Sequence, residues 1–227
     1  MRNEYIHRGL VGPRGITTIY NGVAADGPAR SREAVFRELG IEEPARLVVG
    51  VGRFTDQKGF DVLLDAFSNL VRRVPDARLL LAGEGERRPA LEKQANQLGL
   101  ASSVSFLGAR RDTHDLMHAS ELVVVPSRYD VFPLVPLEAM MAGKPVVASN
   151  LPVLREAIEP GVTGLLAELT PKALADAVVQ VLSDPAAAAQ MGRCGRDRAR
   201  TRFGAHRMVE SYARLYDDLL RESHGHQ

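Results

Sequence analysis

The sequence has a single cysteine, no tryptophan, no long apolar run and almost no net charge. One cysteine, Cys194, excludes an internal disulfide and a cysteine-rich zinc site, and it favours a reducing compartment. No apolar run approaches the ~20 residues of a membrane-spanning helix, and the first 15 residues lack the apolar core of a signal peptide. The net charge of +1 gives no general attraction to nucleic acid or to an anionic membrane. We therefore expect a cytoplasmic protein without a nucleic-acid partner, and nothing in the chain indicates membrane contact.

What the sequence does contain is a regular alternation of short aliphatic segments and amphipathic segments. Strands are predicted at Leu47–Val51, Arg78–Ala82, Val104–Leu107, Leu122–Val125, Val146–Ala148 and Gly164–Ala167. Helices are predicted roughly at Asp61–Arg73, Arg87–Leu98, Asp112–His118, Leu134–Ala142 and Leu151–Ile158. Such alternation builds right-handed βαβ units. The predicted fold is α/β, a doubly wound, Rossmann-like parallel sheet covered on both faces.

The two ends of the chain differ from this alternating middle. Residues 1–15 are interpreted as a lead-in, and residues 16–227 as one domain. Ile16–Tyr20 is predicted as a short strand ending at the turn dipeptide Asn21-Gly22. Ser31 is predicted to cap a helix that Gly40 closes. After Pro171 the pattern is helical to about Glu222, with a break at Ser183-Asp184-Pro185.

The most informative stretch runs from Leu122 to Pro145. It opens with the aliphatic, mostly β-branched run Leu122–Val125, typical of a strand buried on both faces. An apolar helix follows after a loop, with Pro136 in its first turn and Gly143 at its end. Glu138 is the only ionisable residue of that helix. A buried carboxylate is costly unless it is paired, and parallel sheets bind ligands at the carboxyl ends of their strands. Glu138 is therefore a candidate ligand contact.

A second candidate follows the first strand, where Gly52-Arg53 occurs and Lys58 lies five positions after Arg53. Glycine at a strand end lets a ligand approach the backbone, and two nearby cations suit a bridged anion such as a diphosphate. The sequence has neither the GxGxxG nor the Walker pattern, so an ordinary dinucleotide or P-loop signature is absent. On position alone, surface charges on a βα loop are an equal alternative.

Three further features follow strand ends. Gly83 and Gly85 admit close backbone approach, although a tight βα turn is the favoured explanation of such glycines taken alone. Arg110 is placed either to stack on a base or to face solvent, and solvent is the favoured explanation of this arginine taken alone. Asp130 lies in the loop before the helix that carries Glu138. The two carboxylates are therefore placed to contact different parts of the same ligand.

Together, these motifs and their order resemble the C-terminal half of a group 1 glycosyltransferase of the GT-B fold, the retaining, nucleotide-sugar-dependent kind. The resemblance extends from about Ile16 to about Leu220. The motifs that carry it are Gly52-Arg53…Lys58-Gly59, Gly83-Glu84-Gly85, Pro126-Ser127…Asp130-x7-Glu138-Ala139-Met140…Gly143-Lys144-Pro145 and Glu156…Gly161-x-x-Gly164.

The resemblance implies roles for individual residues. Arg53 and Lys58 match the cation pair that neutralises the donor diphosphate and the departing nucleotide. Glu138 matches the glutamate that accepts hydrogen bonds from the donor ribose. Asp130 stands near the donor sugar, where the family usually has glutamate. The implied nucleotide-binding set comprises Gly52, Gly83, Gly85, Arg110, Phe132, Leu134 and Glu138.

The same resemblance sets what the chain is expected to need. The family's enzymes place the active site between two Rossmann-like domains, and only the donor-binding one is recognisable here. An N-terminal acceptor-binding domain is therefore the expected partner, in cis or in trans, and the isolated chain is expected to be inactive or weakly hydrolytic. No Asp-x-Asp motif is present, so we expect no metal and no cofactor, with cationic side chains holding the diphosphate.

Two other function classes are consistent with the residues. One is a nucleotide-sugar-binding module without activity, or one subunit of a split transferase. The other is an unrelated doubly wound protein, such as an epimerase-like enzyme or a phosphate-binding regulatory domain. His114 and His118 are four residues apart, but a metal site needs a third ligand. The arginine-rich run before Phe203 is interpreted as a solvated helix face.

Overall fold

The structure, a computed structural model, describes residues 7–8, 12, 15–24 and 27–224, with side chains up to residue 221. The lead-in predicted for residues 1–15 lies largely outside the described residues. So does Gly225–Gln227, the last part of the predicted domain.

A six-stranded parallel sheet in the order β3-β2-β1-β4-β5-β6 forms the centre of the protein. Its strands are β1 (Arg46–Val51), β2 (Ala77–Ala82), β3 (Val104–Gly108), β4 (Leu122–Val125), β5 (Val146–Ser149) and β6 (Gly164–Ala167). The chain builds outward from β1 to β3 and then returns to place β4 on the other side of β1. This is the strand order of a Rossmann-like fold, so the predicted fold class is confirmed.

Helices cover both faces of the sheet. They are α1 (Arg32–Leu39), α2 (Phe60–Leu70), α3 (Arg88–Gln97), α4 (Thr113–Ala119), α5 (Val135–Met141), α6 (Pro152–Ala157), α7 (Pro171–Ser183), α8 (Pro185–Phe203) and α9 (Ala205–His224). All six predicted strands are found, with ends that differ by at most one residue from those expected. The predicted cap of Ser31 on α1 and the left-handed Gly40 at its end are confirmed as well.

The alternation of side chains along β1 divides the core into two layers. Val48 packs with α2, α3 and α7 on one face, whereas Leu47 and Val49 pack with α1, α4, α5, α6 and α8 on the other. Successive residues of a strand point to opposite faces, so a strand covered on both sides must be apolar throughout. The uninterrupted aliphatic runs of the sequence have this origin.

The predicted strand Ile16–Tyr20 is wrong, since no strand is assigned there, and no turn is assigned at Asn21-Gly22. The segment lies instead beside the junction of α8 and α9. Val23 donates its N–H to the Phe203 carbonyl and accepts from Ala205 N–H, at 2.9 and 3.0 Å. These bonds take the place of a sheet neighbour, and they mark a second break in the C-terminal helices that the sequence pattern did not reveal.

The arginine-rich part of α8 is only partly the solvated face that was expected. Arg196 donates to the carbonyls of Met141 and Ala142 at the end of α5. Arg198 donates to the Ala157 carbonyl at the end of α6, at 2.7 Å. Cations are favourable at helix carboxyl ends, where carbonyl groups lack intrahelical partners. These two arginines therefore fasten α8 to the helices beneath it.

Candidate functional site

The sheet order places a crevice at the carboxyl ends of β1 and β4. The chain turns toward β2 after β1 and toward β5 after β4, so the two outgoing loops separate there. Ligands of open α/β sheets bind at such a switch point. We call the segment 52–59 the β1 loop and the segment 126–134 the β4 loop. Between them they carry Gly52, Arg53, Lys58, Asp130, Phe132 and Leu134 of the predicted site.

The β1 loop presents its two cations differently. Arg53 is exposed, and no hydrogen bond or ion pair to its side chain is found within the described part of the chain. Lys58 ends a short 3-10 helix, Asp56–Lys58, and its methylene stem passes Gly52. The Lys58 ammonium forms an ion pair of 2.6 Å with Oδ2 of Asp130 on the β4 loop. The structure thus brings two predicted site residues into direct contact.

Asp130 is held on both carboxylate oxygens. Oδ1 accepts the N–H of Val131 at 2.9 Å, and Oδ2 receives both the Lys58 ammonium and, at 3.5 Å, the Ser127 hydroxyl. The Lys58 side chain is 19% exposed and the Asp130 side chain 11%. The pair is therefore largely covered and stays reachable from the crevice.

The two loops are fastened to each other by Arg128, a residue that the sequence analysis did not single out. Its guanidinium donates to both oxygens of Asp61 at 2.8 and 2.6 Å and to the Asp56 carbonyl at 2.7 Å. Its backbone N–H donates to the Gln57 carbonyl, and Gln57 returns a bond to the Tyr129 carbonyl. An arginine in a loop gives no sequence signal of such a role, because its partners are about 70 residues away.

Three glycines allow the β1 loop to pack closely against the β4 loop and against the loop that follows β2. Gly59 has a φ of 64°, and a side chain there would overlap the Pro126 carbonyl oxygen. A Cβ on Gly83 would overlap the Gly52 carbonyl, and one on Gly85 would meet the backbone of Phe54. Contact between loops is enough to require glycine at the two predicted nucleotide-binding positions 83 and 85, so their predicted contact with a ligand stays a prediction.

Arg110 has protein partners rather than an open side chain. It donates to both carboxylate oxygens of Asp112, at 2.8 and 2.6 Å, and to Glu38 on α1 at 2.8 Å. Hydrogen bonds to these two acids raise the pKa of Arg110, and the bond to Asp112 has the larger effect. Arg30 joins the same cluster through Glu38 and Asp115. The predicted role of Arg110 at a nucleotide base stays a prediction.

Glu138 lies in a separate cleft of about 350 Å³ beside the β4 loop. The helix α5 that carries it is buried through Pro136, Leu137, Ala139, Met140 and Met141, as its apolar sequence predicts. Burial raises the pKa of Glu138, and nearby His114 opposes the shift. No hydrogen bond to its carboxylate is found among the residues that the structure describes. Glu138 is therefore a half-buried carboxylate that faces an open cleft.

The rest of the β4 loop connects this cleft to the Lys58–Asp130 pair. Leu134, 42% exposed, lines the cleft. Phe132 turns away from it and packs on the rings of Tyr20 and Phe203, with centroid separations of 5.2 and 5.8 Å. Its contribution is thus to anchor the loop on the C-terminal helices. A direct contact of Phe132 with nucleotide stays a prediction.

Among the described residues there is no group of three or more His, Cys, Asp or Glu side chains that could hold a metal ion. His114 and His118 do contact each other, with 3.1 Å between their Nε2 atoms. Over the same described ranges, no helix is long and apolar enough to cross a membrane.

Comparison with known proteins finds relatives over most of the chain. The chain is 30% identical over 216 residues to N-acetyl-alpha-D-glucosaminyl L-malate synthase of Bacillus anthracis, covering 94% of this chain and 56% of that protein. It is 37% identical over 205 residues to glycogen synthase of Mycobacterium tuberculosis, covering 88% and 48%. The chain thus spans about half the length of the curated relatives it matches.

Solved structures match the fold. The Anabaena protein HepE in complex with UDP-glucose superposes with a TM-score of 0.86 at 28% identity, covering 96% of this chain and 61% of HepE. The C-terminal domain of a group 1 glycosyl transferase from Francisella tularensis superposes with a TM-score of 0.69 at 24% identity, covering 81% of this chain and 99% of that domain, a likeness of fold alone.

The family described as glycosyl transferases group 1 matches residues 31–198, which hold all six strands and every predicted site residue. By sequence match, strand order and the arrangement of its strand-end loops, the chain belongs to the group 1 glycosyltransferase family.

Proposed function

We propose that this chain is the donor-binding half of a retaining glycosyltransferase that uses a nucleotide-diphosphate sugar. The observation that carries the proposal is the arrangement at the switch point. There the exposed Arg53, the Lys58–Asp130 pair and the open carboxylate of Glu138 border one crevice and its adjoining cleft. HepE, of similar fold, binds UDP-glucose, which supports the same class of donor here.

The crevice provides electrostatic stabilisation for a departing nucleotide. When a glycosyl bond to a diphosphate breaks, negative charge develops on the leaving phosphate oxygen. Preorganised cations placed where charge develops lower the barrier, because they need no reorganisation during the reaction. Arg53 and Lys58 are proposed to supply that charge, which is consistent with catalysis that needs no metal.

The cleft provides a site for the ribose of the nucleotide. Glu138 is an acceptor with no protein donor among the described residues, and ribose hydroxyls are donors. Pairing the carboxylate with two hydroxyls would offset the cost of its burial. Leu134, at the same cleft, offers an apolar wall against which a nucleoside can pack.

The proposal that this is half of an enzyme rests on two observations. The chain spans about half of its curated relatives. In addition, among the described residues α9 has an exposed apolar stripe, formed by Val209, Tyr212, Tyr216 and Leu219. Exposed apolar stripes of this kind mark contact surfaces. We propose that an acceptor-binding domain, in cis or in trans, completes the active site.

A nucleotide-sugar-binding subunit without activity of its own is the second candidate. The proposed roles favour it, because each of them concerns the donor: Arg53 and Lys58 are assigned to the diphosphate, Glu138 to the ribose and Asp130 to the sugar. The two candidates share the donor site and differ in whether an acceptor half activates transfer.

Isothermal titration calorimetry with UDP, GDP and ADP and with the matching nucleosides tests the donor site. One nucleoside diphosphate is expected to bind more tightly than its nucleoside. Arg53→Ala should weaken diphosphate binding by about 1.5–3 kcal/mol, the value of a charge-assisted contact, and leave nucleoside binding unchanged. Arg72→Ala, an exposed arginine in the turn just after α2, is the control. Equal affinity for nucleoside and diphosphate would contradict the assignment.

A further inference from the structure

The pair formed by Lys58 and Asp130 has a consequence beyond holding the two loops together. The Lys58 ammonium, which is assigned to the diphosphate, has a carboxylate partner at 2.6 Å. A diphosphate that enters the crevice must therefore compete with a carboxylate of the protein itself. Arg53, exposed and without a described partner, faces no such competition.

The surroundings of Asp130 allow this carboxylate to stay in place when Lys58 leaves it. Its Oδ1 keeps the Val131 N–H, and its Oδ2 keeps the hydroxyl of Ser127, a fully buried residue. Lys58, in contrast, carries its ammonium on a flexible four-carbon stem. The movable partner of the pair is thus the lysine.

The contacts around the pair hold Lys58 and Asp130 within reach of each other. Arg128 and Gly59 fasten the β1 loop to the β4 loop through hydrogen bonds and close backbone contact. The loops cannot separate to release the pair without breaking these contacts. Only the Lys58 side chain needs to move for the ammonium to be exchanged between the carboxylate and a phosphate.

We propose that Asp130 is a specificity-determining residue that competes with the diphosphate for Lys58, so that the site favours a complete nucleotide sugar over the bare nucleoside diphosphate. This rests on the proposed function. A sugar next to the diphosphate can donate hydroxyl hydrogen bonds to the carboxylate that Lys58 has left. A bare diphosphate offers no donor, and it leaves an uncompensated anion beside its own negative charge.

The same exchange assists product release. After the glycosyl group has been transferred, the sugar no longer donates to Asp130. The carboxylate then recovers Lys58, and the diphosphate loses one of its two cations. Asp130 acts here through Lys58 and through the donor sugar, with no covalent step of its own.

The test uses pyrophosphate, because it probes the cation without relying on recognition of a nucleoside. Calorimetry should show that Asp130→Asn binds pyrophosphate about fivefold more tightly than the wild type, since a partly covered ion pair is worth about 1 kcal/mol. The gain should disappear in the double variant Lys58→Ala with Asp130→Asn. Asp56→Asn removes the same charge from the β1 loop, where Asp56 pairs with Arg87 and not with Lys58, and should leave the affinity unchanged.

Unchanged or weaker pyrophosphate binding by Asp130→Asn would overturn the proposal, because it would mean that Asp130 only orients Lys58. Asp130→Ala provides a second neutral variant in case the amide disturbs the loop, and circular dichroism checks the fold of both. With the nucleotide sugar that the wild type binds, the ratio of sugar-nucleotide to nucleoside-diphosphate affinity should fall in Asp130→Asn. A different outcome is that Asp130→Asn binds pyrophosphate more tightly but the wild type binds no nucleotide sugar. That result would overturn the proposed donor-binding function and would still support the competition between Asp130 and an anion for Lys58.

Discussion

Arg128 holds Asp61 through two parallel hydrogen bonds of 2.8 and 2.6 Å, and so joins the loop after β4 to the start of α2. The two side chains are 35% and 31% exposed, so solvent screens the pair only in part. The arginine lowers the pKa of Asp61, chiefly through these hydrogen bonds. A bidentate arginine–carboxylate pair fixes geometry as well as charge.

The stability of the protein should therefore depend on Asp61 in the acid range. Its folded-state pKa lies below that of an unfolded aspartate, about 3.9, so its contribution is present above that pH and is lost as the pH falls through the folded-state value. Asp61→Asn should lower the free energy of unfolding by about 1 kcal/mol at pH 7 and flatten its decline below pH 4. Urea titrations across pH 3–7 measure both. Asp197→Asn, at an exposed position of α8 with no ion pair in the described part of the chain, should change neither; an unaltered acid slope in Asp61→Asn would contradict the assignment.

Glu138 should affect stability in the opposite sense. Burial raises its folded-state pKa, so between the unfolded value near 4.3 and the raised value the folded state binds more protons. Stability must then fall as the pH rises through that window. Glu138→Gln is expected to stabilise the protein by about 1 kcal/mol at pH 7, with the gain absent near pH 4. Thermal unfolding at both pH values tests this, with Glu86→Gln on an exposed loop as control.

The ribose contact assigned to Glu138 has a separate test. Glu138→Gln should weaken nucleoside diphosphate binding by about 1.5–3 kcal/mol, because a charge-assisted acceptor is lost. A 2′,3′-dideoxy ligand should then bind the variant no worse than the ordinary ligand does. Calorimetry on the wild type and the variant, each with the ordinary and the dideoxy ligand, gives the coupling free energy between the carboxylate and the ribose hydroxyls. A dideoxy penalty equal in wild type and variant would show that Glu138 does not hold the ribose.

Gly59 should tolerate substitution much less than a glycine with the same backbone angle elsewhere. Gly59 and Gly40 have φ of 64° and 63°, but only Gly59 lies against another backbone, the Pro126 carbonyl, while nothing lies within 4 Å of a Cβ at Gly40. Gly40→Ala is expected to cost about 1 kcal/mol from the left-handed conformation alone. Gly59→Ala should cost about 3 kcal/mol or more, because the two loops must separate. Denaturant unfolding compares the two, and equal losses would contradict the role of loop contact.

The elements that the sequence predicted well are those whose residues carry their own signal. An uninterrupted aliphatic run is already the pattern of a strand covered on both faces, so β4 needed no other information. The solitary Glu138 in an apolar helix predicted a buried carboxylate by the same logic, and in the structure the helix is buried and the carboxylate half-buried.

Other features depend on neighbours distant in sequence. The Lys58–Asp130 ion pair joins residues 72 apart, and only the parallel register of β1 and β4 brings their loops together. Ile16–Tyr20 has the apolar content of a strand, but the backbone just beyond it bonds to the α8–α9 junction instead of the sheet. Local pattern carries no information about such competition between partners.

This chain alone should not transfer sugar at an ordinary enzymatic rate. Displacement at the anomeric carbon needs an acceptor hydroxyl held against the donor, and such positioning supplies much of an enzyme's rate. Here Arg53 and Lys58 are assigned to the diphosphate, Glu138 to the ribose and Asp130 to the sugar. None of these groups is left to hold an acceptor. Because water can reach the crevice, slow hydrolysis of the nucleotide sugar is the most activity we expect.

Labelled nucleotide sugars and a broad panel of acceptors, incubated with the 227-residue chain, test this directly. Lys58→Ala is the matched control, since it should abolish even the slow hydrolysis by removing a cation from the leaving group. Adding an N-terminal half from a relative, fused or as a separate chain, should raise transfer by closing the cleft over the donor. Rapid transfer by the chain alone would show that it carries its own acceptor site, and would replace the proposed half-enzyme by a complete one.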